Sequence, residues 1–322
     1  MLTRLPRSIG NRVFINRAPI LTTRSVARPR RRWLRRLSYV VLGLLFAWLI
    51  AVQAGCLAMR TPDARWPEEL RKKGQSLQPE FIDVPAAGRT IHAVAVASAD
   101  SLPLAIMVHG SPGSADAYLP YLADTLLTRS FRIVSLDRPG FGYTSGFGRA
   151  EPSLKAQAEA VKAVADRLSP DRQVVLVGHS LGGPVIVRFA MDYPERTAML
   201  VIVAGSVDPD LEEHPWWQAA IDPPPLRWLI PKSLWTSNRE IISLEDELRT
   251  MMPRWQDIRC PVRIVQALDD RLVPAANAGF AKRMLVNSPD VRTVLLPEGD
   301  HFILWSRPDI VRQAMTDAWP AH

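Results

Sequence analysis

Residues 173–188 constrain the fold of this chain more than any other stretch. Their sequence is Gln-Val-Val-Leu-Val-Gly-His-Ser-Leu-Gly-Gly-Pro-Val-Ile-Val-Arg. An apolar run ends at Gly178 and a second apolar segment follows with helical spacing, so the pattern predicts a buried strand, a tight turn and a helix. Because Gly178 and Gly182 lack a Cβ, neighbouring backbone can approach closely and hold Ser180 in a strained, exposed position.

Ser180 is therefore a candidate nucleophile. Gly178 to Gly182 match the Gly-x-Ser-x-Gly pattern, in which a serine lies between a strand and a helix. The N–H of Leu181 starts the helix and is predicted to point to where negative charge develops on a substrate. A serine hydroxyl is a weak nucleophile, so the chain must also supply a general base and a carboxylate that orients the base.

The rest of the chain alternates between apolar strands and helices. Besides the strand before Gly178, strands are predicted at residues 81–84, 90–96, 104–108, 131–136, 199–204, 262–267 and 291–296. Helices are predicted at residues 115–129, 153–168, 181–194, 275–287 and 308–319. This alternation is typical of the α/β class and predicts a mostly parallel eight-stranded sheet flanked by helices.

Three loops that contain glycine directly follow predicted strands, at residues 109–114, 137–143 and 178–183. Ligands bind at the carboxyl ends of parallel strands. We therefore expect these loops to meet at one rim of the sheet, with Ser180 among them.

The predicted core consists of residues 80–207 and 260–322, with one long interruption. Residues 208–259 contain five tryptophans and the run Pro223-Pro224-Pro225, which predicts short helices joined by proline turns. A connection of this length is usually functional, so we interpret it as a lid over the rim. A helical decoration that packs away from the rim is the alternative.

Charge is distributed very unevenly along the chain. The formal net charge is +8, yet residues 1–60 contain twelve arginines and no lysine or acidic residue. Residues 61–322 have 28 basic against 32 acidic side chains, a net charge of −4. A nucleic-acid-binding domain has its basic patch on the folded part, so we expect no nucleic-acid partner.

The basic arm at residues 1–37 leads into an apolar segment. Residues 39–59 form a run of 21 without a charge, which is long enough to span a bilayer as a helix. The arginines before it are predicted to remain on the cytoplasmic side. We therefore expect a single-pass transmembrane anchor at residues 38–60, a polar stalk at residues 61–79, and the folded part on the non-cytoplasmic side, in the bacterial periplasm.

Four alternatives to a permanent anchor remain open. The segment has features of a long cleaved signal peptide, and also of a lipoprotein signal that is cut before Cys56 and lipidated there. Residues 1–27 are rich in Arg, Ser and Thr and lack acidic residues, as in an organelle transit peptide. A buried helix of the globular fold is the fourth alternative.

His301 is the candidate general base among six histidines. It lies in the loop between the last predicted strand and the last helix, which places it at the same rim as Ser180. The orienting acid is expected at another strand end between these two residues, where Asp269 and Asp270 are both available.

Five segments together resemble the motifs of the α/β-hydrolase superfamily, in its branch of serine esterases and lipases. They are His-Gly-Ser-Pro-Gly at 109–113, Asp-Arg-Pro-Gly-Phe-Gly at 137–142, Gly-His-Ser-Leu-Gly-Gly at 178–183, Asp-Arg-Leu-Val-Pro at 270–274 and Gly-Asp-His-Phe at 299–302. They occur in the family's order of serine, acid and histidine, and the resemblance covers residues 80–319. It implies the α/β-hydrolase fold.

The resemblance also implies which acid is used. In the family the acid precedes the proline of the Asp-x-x-Val-Pro turn by four residues, which selects Asp270 and leaves Asp269 as second choice. The family usually has glycine three residues before the acid, where this chain has Ala267.

By the same resemblance, the N–H of Ser111 is the second donor of the oxyanion hole, together with the N–H of Leu181. Asp137 and Arg138 are expected to brace the loop of Ser111 rather than to take part in catalysis.

A serine at this turn implies acyl transfer through an acyl-enzyme, so we predict hydrolysis of carboxylic esters by Ser180, His301 and Asp270. Cofactor-free haloperoxidases and carbon–carbon bond hydrolases of the superfamily use the same triad, and a non-catalytic ligand-binding member is a further alternative. The expected partners are a small apolar acyl substrate and the membrane. We expect no cofactor, since no metal or nucleotide motif is present and two cysteines, Cys56 and Cys260, cannot form a Cys-based metal site.

Overall fold

The computed structural model describes residues 30–55, 58–213, 215–223 and 226–317. The predictions for residues 1–29, including a transit peptide, and those for Cys56, His214 and His322 lie outside the described residues.

The described residues contain one sheet of eight strands. The strands are β1 (Glu80–Ala86), β2 (Arg89–Val96), β3 (Leu104–Val108), β4 (Arg132–Leu136), β5 (Val174–His179), β6 (Thr197–Val203), β7 (Val262–Ala267) and β8 (Val291–Leu296). Their order in the sheet is β1-β2-β4-β3-β5-β6-β7-β8. β2 pairs antiparallel with β1 and β4, and the other pairs are parallel. The predicted eight-stranded, mostly parallel sheet is confirmed.

Helices lie before and between these strands in the sequence, and several of them cover the faces of the sheet. They are α1 (Arg30–Gln53), α2 (Trp66–Lys72), α3 (Leu119–Leu122), α4 (Leu127–Ser130), α5 (Leu154–Leu168), α6 (Gly182–Asp192), α7 (Trp216–Ala220), α8 (Lys232–Ile242), α9 (Leu244–Met251), α10 (Ala276–Met284), α11 (Ile303–Ser306) and α12 (Pro308–Thr316). One apolar layer packs α5, α6, α9 and α10 on one face of the sheet, and a second packs α2, α3, α4, α11 and α12 on the other. Strands β3 to β7 are buried on both faces, which is why their sequences are mostly apolar.

The single helix predicted at residues 115–129 is not formed. The structure has a 3-10 turn at Ala115–Tyr118 followed by the short helices α3 and α4. The side chain of Asp124 accepts hydrogen bonds from the N–H groups of Leu126 and Leu127, at 2.9 and 3.2 Å. An aspartate that caps the next turn in this way ends one helix and starts another.

The stalk predicted at residues 61–79 is also wrong. These residues form a 3-10 turn and α2, and the side chains of Trp66 and Leu70 are buried in the apolar layer beside β3. The two apolar residues are four positions apart, so they share one face of α2, whereas Glu68 and Glu69 point away from it. This segment is therefore part of the folded domain.

The first helix, α1, is long, apolar and mostly exposed. Within α1, the stretch Arg32–Gln53 is long and apolar enough to cross a membrane, by length and composition. The chain divides into two compact units, Met1–Phe46 and Ala47–His322. In the second unit, the indole N–H of Trp48 donates to the carbonyl of Leu229 at 2.8 Å, which connects the end of α1 to residues of the predicted lid.

Candidate active site

Ser180 lies at the carboxyl end of β5, between the strand and α6. Its φ of +54° is in the left-handed region that non-glycine residues rarely adopt. The two glycines around it are required by close packing. A Cβ on Gly178 would lie 2.3 Å from the carbonyl oxygen of Gly182, and a Cβ on Gly182 would lie 2.1 Å from the carbonyl oxygen of Val108. The sequence therefore forms the strained turn that was predicted from the spacing of its glycines.

His301 and Asp270 form a buried hydrogen-bonded pair. Nδ1 of His301 lies 2.9 Å from Oδ2 of Asp270, and the other carboxylate oxygen accepts the N–H groups of Leu272 and Val273, each at 2.9 Å. Burial by itself would raise the pKa of Asp270, but the hydrogen bonds from His301 and from the backbone outweigh it and lower that pKa. Asp270 is thus an ionised acceptor that holds the proton of His301 on Nδ1. Asp269, the second choice in the sequence, has an exposed side chain.

His179 links Ser180 to the loop of His301. Its Nε2 donates to the carbonyl oxygen of His301 at 3.0 Å, and the two imidazole rings have centroids 4.9 Å apart. Burial lowers the pKa of His179 to about 4, so the ring is neutral and acts as a fixed hydrogen-bond donor. The sequence pattern does not predict this role of His179. Its position directly before the serine was the only available sign, and that position does not predict the direction of the side chain.

The two predicted oxyanion donors, Leu181 and Ser111, belong to two segments that meet at Ser180. Leu181 directly follows Ser180 and is the N-cap residue of α6. Ser111 follows Gly110, where an added Cβ would lie 2.9 Å from Cβ of Ser180. The structure therefore brings the loop at residues 109–113 against the serine.

This loop is held from behind by Arg138. The Nε of Arg138 donates to the carbonyl of His109 at 2.8 Å, and its Nη2 donates to the carbonyl of Gly110 at 2.9 Å. His109 is itself fixed, because its Nδ1 donates to the carbonyl of Gly110 at 2.7 Å and its Nε2 accepts the backbone N–H of Arg138 at 3.1 Å. Burial lowers the pKa of His109 to about 3, so the ring stays neutral. Arg138 thus makes the bracing contacts that the resemblance implied.

A residue of the predicted lid, residues 208–259, contacts the same loop. The carboxylate of Glu240, on α8, accepts a hydrogen bond from the hydroxyl of Ser111 at 2.7 Å and pairs with Arg138 at 2.9 Å. Sequence reasoning missed Glu240 because a glutamate within a polar helix normally faces solvent.

A second histidine–aspartate pair lies nearby, between β2 and the loop after β4. Nδ1 of His92 lies 2.9 Å from Oδ2 of Asp137, and its Nε2 lies 3.4 Å from Oδ1 of Asp63. Burial alone would lower the pKa of His92, but the two carboxylates outweigh it and raise that pKa. Asp137 also accepts the N–H groups of Ala115 and Tyr143, each at 2.7 Å, so it connects its own loop to the end of the Ser111 loop.

Among the residues that the structure describes, no group of three or more His, Cys, Asp or Glu side chains is arranged to hold a metal ion. Cys260 is buried, and burial raises the pKa of its thiol to about 12, which makes it unreactive as a nucleophile at neutral pH.

Comparisons with known proteins agree with this geometry. A family model described as "Alpha/beta hydrolase family" matches residues 105–314. The enzyme 2-hydroxy-6-oxononadienedioate/2-hydroxy-6-oxononatrienedioate hydrolase of Klebsiella pneumoniae is 31% identical over 127 residues, 39% of this chain. The match spans 44% of that enzyme, so less than half of its length is covered. A 2-hydroxy-6-oxo-6-phenylhexa-2,4-dienoate hydrolase of Burkholderia cepacia is 22% identical over 284 residues, which are 76% of this chain and 96% of that enzyme.

Among solved structures, a membrane phospholipase A described as a bacterial virulence factor superposes with a TM-score of 0.61 at 21% identity. The match covers 90% of this chain and 100% of that one, and at this identity it shows the fold alone. The family model covers more than half of the sequence, from β3 to α12. The chain belongs to the α/β hydrolase family.

Proposed function

We propose that the protein is a serine hydrolase that cleaves carboxylic esters through an acyl-enzyme, with Ser180 as nucleophile, His301 as general base and Asp270 as orienting acid. The observation that carries this proposal is the buried hydrogen-bonded pair of His301 and Asp270. The backbone carbonyl of His301 is hydrogen-bonded to His179, the residue before the strained Ser180. A general base, an acid that fixes its tautomer and an activated serine are the parts that acyl transfer needs.

In the proposed reaction, the hydroxyl oxygen of Ser180 attacks the ester carbonyl carbon while Nε2 of His301 takes its proton. The negative oxygen of the tetrahedral intermediate accepts the N–H groups of Leu181 and Ser111. His301 then protonates the leaving alcohol, which gives the acyl-enzyme. A water molecule, deprotonated by His301, attacks the acyl carbon and releases the acid and free Ser180. Asp270 stays ionised throughout and stabilises the imidazolium.

For the substrate, we propose an apolar acyl group. Trp216 of the lid is 82% exposed, and Trp217 and Trp228 are about half exposed. Exposed tryptophans in the predicted lid favour lipid-like esters over small polar ones.

We also propose that α1 anchors the protein in a membrane, with the catalytic unit on the non-cytoplasmic side. The apolar stretch Arg32–Gln53 and the arginines at its start support this. Protease protection in vesicles tests the orientation. Added protease should digest the catalytic unit in right-side-out vesicles and should leave it intact in inverted vesicles.

Ester hydrolysis is tested with p-nitrophenyl acyl esters of chain length C2 to C16, using the full chain in detergent micelles beside its Ser180→Ala variant. We expect turnover that depends on Ser180 and is highest for medium or long acyl chains. Turnover that persists in a folded Ser180→Ala variant would contradict the proposal.

A second candidate activity comes from the two sequence relatives, both named as hydrolases of 2-hydroxy-6-oxo acids. Such a compound has a ketone at position 6, so its hydrolysis beside that carbonyl breaks a carbon–carbon bond. The same serine, histidine and aspartate would serve this reaction. A protein that cleaves a 2-hydroxy-6-oxo dienoate and no ester would favour this second candidate.

A further inference from the structure

A buried cluster of charged and polar side chains joins the lid helix α8 to the loop after β3. Glu240, on α8, is 1% exposed, and Arg138, in the loop after β4, is 0% exposed. Nη1 of Arg138 donates to Oε1 of Glu240 at 2.9 Å, and Nη2 donates to Oε2 at 3.1 Å. This is the two-pronged pairing of a guanidinium with a carboxylate, which fixes distance and direction together.

The carboxylate of Glu240 is fully satisfied by this cluster. Besides the two bonds from Arg138, Oε1 accepts Nε2 of Gln157 at 3.1 Å, and Oε2 accepts the hydroxyl of Ser111 at 2.7 Å. Each oxygen thus has two donors. Burial raises the pKa of Glu240, and the Arg138 guanidinium opposes that rise most strongly.

Both members of the ion pair, Arg138 and Glu240, are hydrogen-bonded to the loop that faces Ser180. Arg138 holds the carbonyls of His109 and Gly110, and Glu240 holds the next side chain, that of Ser111. A buried ion pair is a weak source of stability, because removing two charges from water is costly. This pair instead fixes the position of the loop at residues 109–113, in which Gly110 packs against the Cβ of Ser180.

We propose that Glu240 is a positioning residue for the oxyanion hole, so that seating of the lid helix and placement of the Ser111 N–H are one event. This inference rests on the proposed hydrolysis by Ser180. When α8 is seated, Glu240 fixes the hydroxyl of Ser111 and, with it, the direction of the Ser111 backbone N–H. When α8 moves away, Arg138 loses its carboxylate partner and the loop loses its fixed geometry.

The consequence should appear in turnover rather than in binding. Oxyanion donors act on charge that develops only in the transition state, so a displaced donor lowers kcat while substrate binding is retained. Displacement of a catalytic group by about 1 Å can cost about 100-fold, and loss of a donor costs 100- to 1,000-fold. Because Ser111→Ala keeps the N–H and removes only the hydroxyl that fixes it, we expect about a tenfold loss.

The first test compares two alanine substitutions in the same loop region, using the full chain in detergent micelles and a p-nitrophenyl ester. Ser111→Ala should lower kcat about tenfold and leave KM within about twofold. Ser114→Ala is the matched control, because its hydroxyl donates to Asp116 at 2.6 Å instead of to the lid. Its kcat and KM should stay within about twofold of wild type. Equal kcat in Ser111→Ala and Ser114→Ala would overturn the proposal.

The second test is a double-mutant cycle with Glu240→Gln, which removes the charge and keeps the shape of the side chain. If the Ser111 hydroxyl acts through Glu240, adding Ser111→Ala to Glu240→Gln should change kcat by less than about twofold. Losses that simply multiply would overturn the proposal. If Glu240→Gln does not fold, the comparison of Ser111→Ala with Ser114→Ala decides alone.

Ser180→Ala is measured beside these variants to separate the two proposals. If Ser180→Ala is inactive and Ser111→Ala equals wild type, positioning by Glu240 fails while the hydrolase function stands. If a folded Ser180→Ala retains turnover, the proposed function fails and the positioning role fails with it.

Discussion

The part of the domain that the structure describes contains two histidine–aspartate pairs with the same distance between the paired atoms. In both, Nδ1 of the histidine lies 2.9 Å from Oδ2 of the aspartate. In both, the aspartate accepts two backbone N–H groups and has its pKa lowered by these bonds against the effect of burial. The pairs His301–Asp270 and His92–Asp137 therefore differ only in what surrounds them.

The difference lies in the groups around each histidine. Nε2 of His92 lies 3.4 Å from a further carboxylate, that of Asp63, so its proton is attracted from both sides and its pKa is raised. The loop of His301 is instead hydrogen-bonded by His179, the residue before the strained serine. Two carboxylates favour the protonated form of His92, whereas a general base needs a free ring nitrogen that can accept a proton. We infer that the groups around the pair, rather than the pair itself, separate the proposed catalytic role from a structural one.

The largest effect that distinguishes the pairs is expected for the aspartate of the candidate site. Asp270→Asn should lower kcat about 10⁴-fold, the loss known for the orienting acid of serine proteases, because His301 then presents the wrong tautomer. Asp269→Asn, one residue away and exposed, is the matched control and should keep wild-type turnover. Ester hydrolysis under saturating substrate measures both, and equal losses would contradict the assignment of Asp270.

The corresponding change in the other pair should act on stability. Asp137→Asn places an amide where three donors converge on a buried carboxylate, so we expect a loss of about 3 kcal/mol in the free energy of unfolding. Turnover of the folded fraction should stay within about threefold of wild type. Urea unfolding followed by circular dichroism gives the first quantity and active-site titration the second. A loss of turnover comparable to that of Asp270→Asn would show that the second pair belongs to the catalytic machinery.

A smaller effect concerns the pH dependence of stability. His109 and His179 have folded pKa values of about 3 and about 4, below the ordinary 6.5. Between pH 6.5 and 4 the unfolded chain therefore binds protons that the folded protein does not, and stability falls by about 1.4 kcal/mol per pH unit for each of these histidines. His92 has a raised pKa and acts in the opposite direction. Its contribution to the free energy of unfolding is fully present below pH 6.5, the ordinary pKa, and is lost as the pH rises through the pKa of the folded protein.

His92→Asn should therefore make the decline from pH 7 to pH 5 steeper by less than about 1 kcal/mol. His179→Asn should make it shallower by about 2 kcal/mol. Unfolding midpoints at both pH values measure the change. An unaltered slope in His92→Asn would mean that folding does not raise the pKa of His92.

Much of the fold follows from local sequence patterns. The strands from β3 to β7 are runs of apolar residues bounded by turn residues, and both the serine turn and the Asp270 turn have short spacings that only a few backbone geometries satisfy. Features that depend on distant contacts were missed. Trp66 and Leu70 lie among charged residues that resemble a stalk, and only the apolar layer beside β3 shows that they are buried.

Glu240 shows the same limit at the site. Its helix, α8, buries polar side chains such as Ser233 and Thr236 and exposes Leu234. This is the reverse of an ordinary surface helix, so hydrophobic periodicity assigns its faces wrongly. The reason becomes visible only with the partner, since Glu240 meets Arg138 across 102 positions of the sequence.

Covalent labelling of the full chain with a fluorophosphonate tests the central claim most directly, because the reagent reacts only with a serine that has a functional base and oxyanion hole. Peptide mapping of the labelled protein should place one phosphonyl group on Ser180, and Ser180→Ala should remain unlabelled. A folded wild-type protein that takes up no label, or takes it up at another residue, would contradict the assignment of Ser180 as the nucleophile.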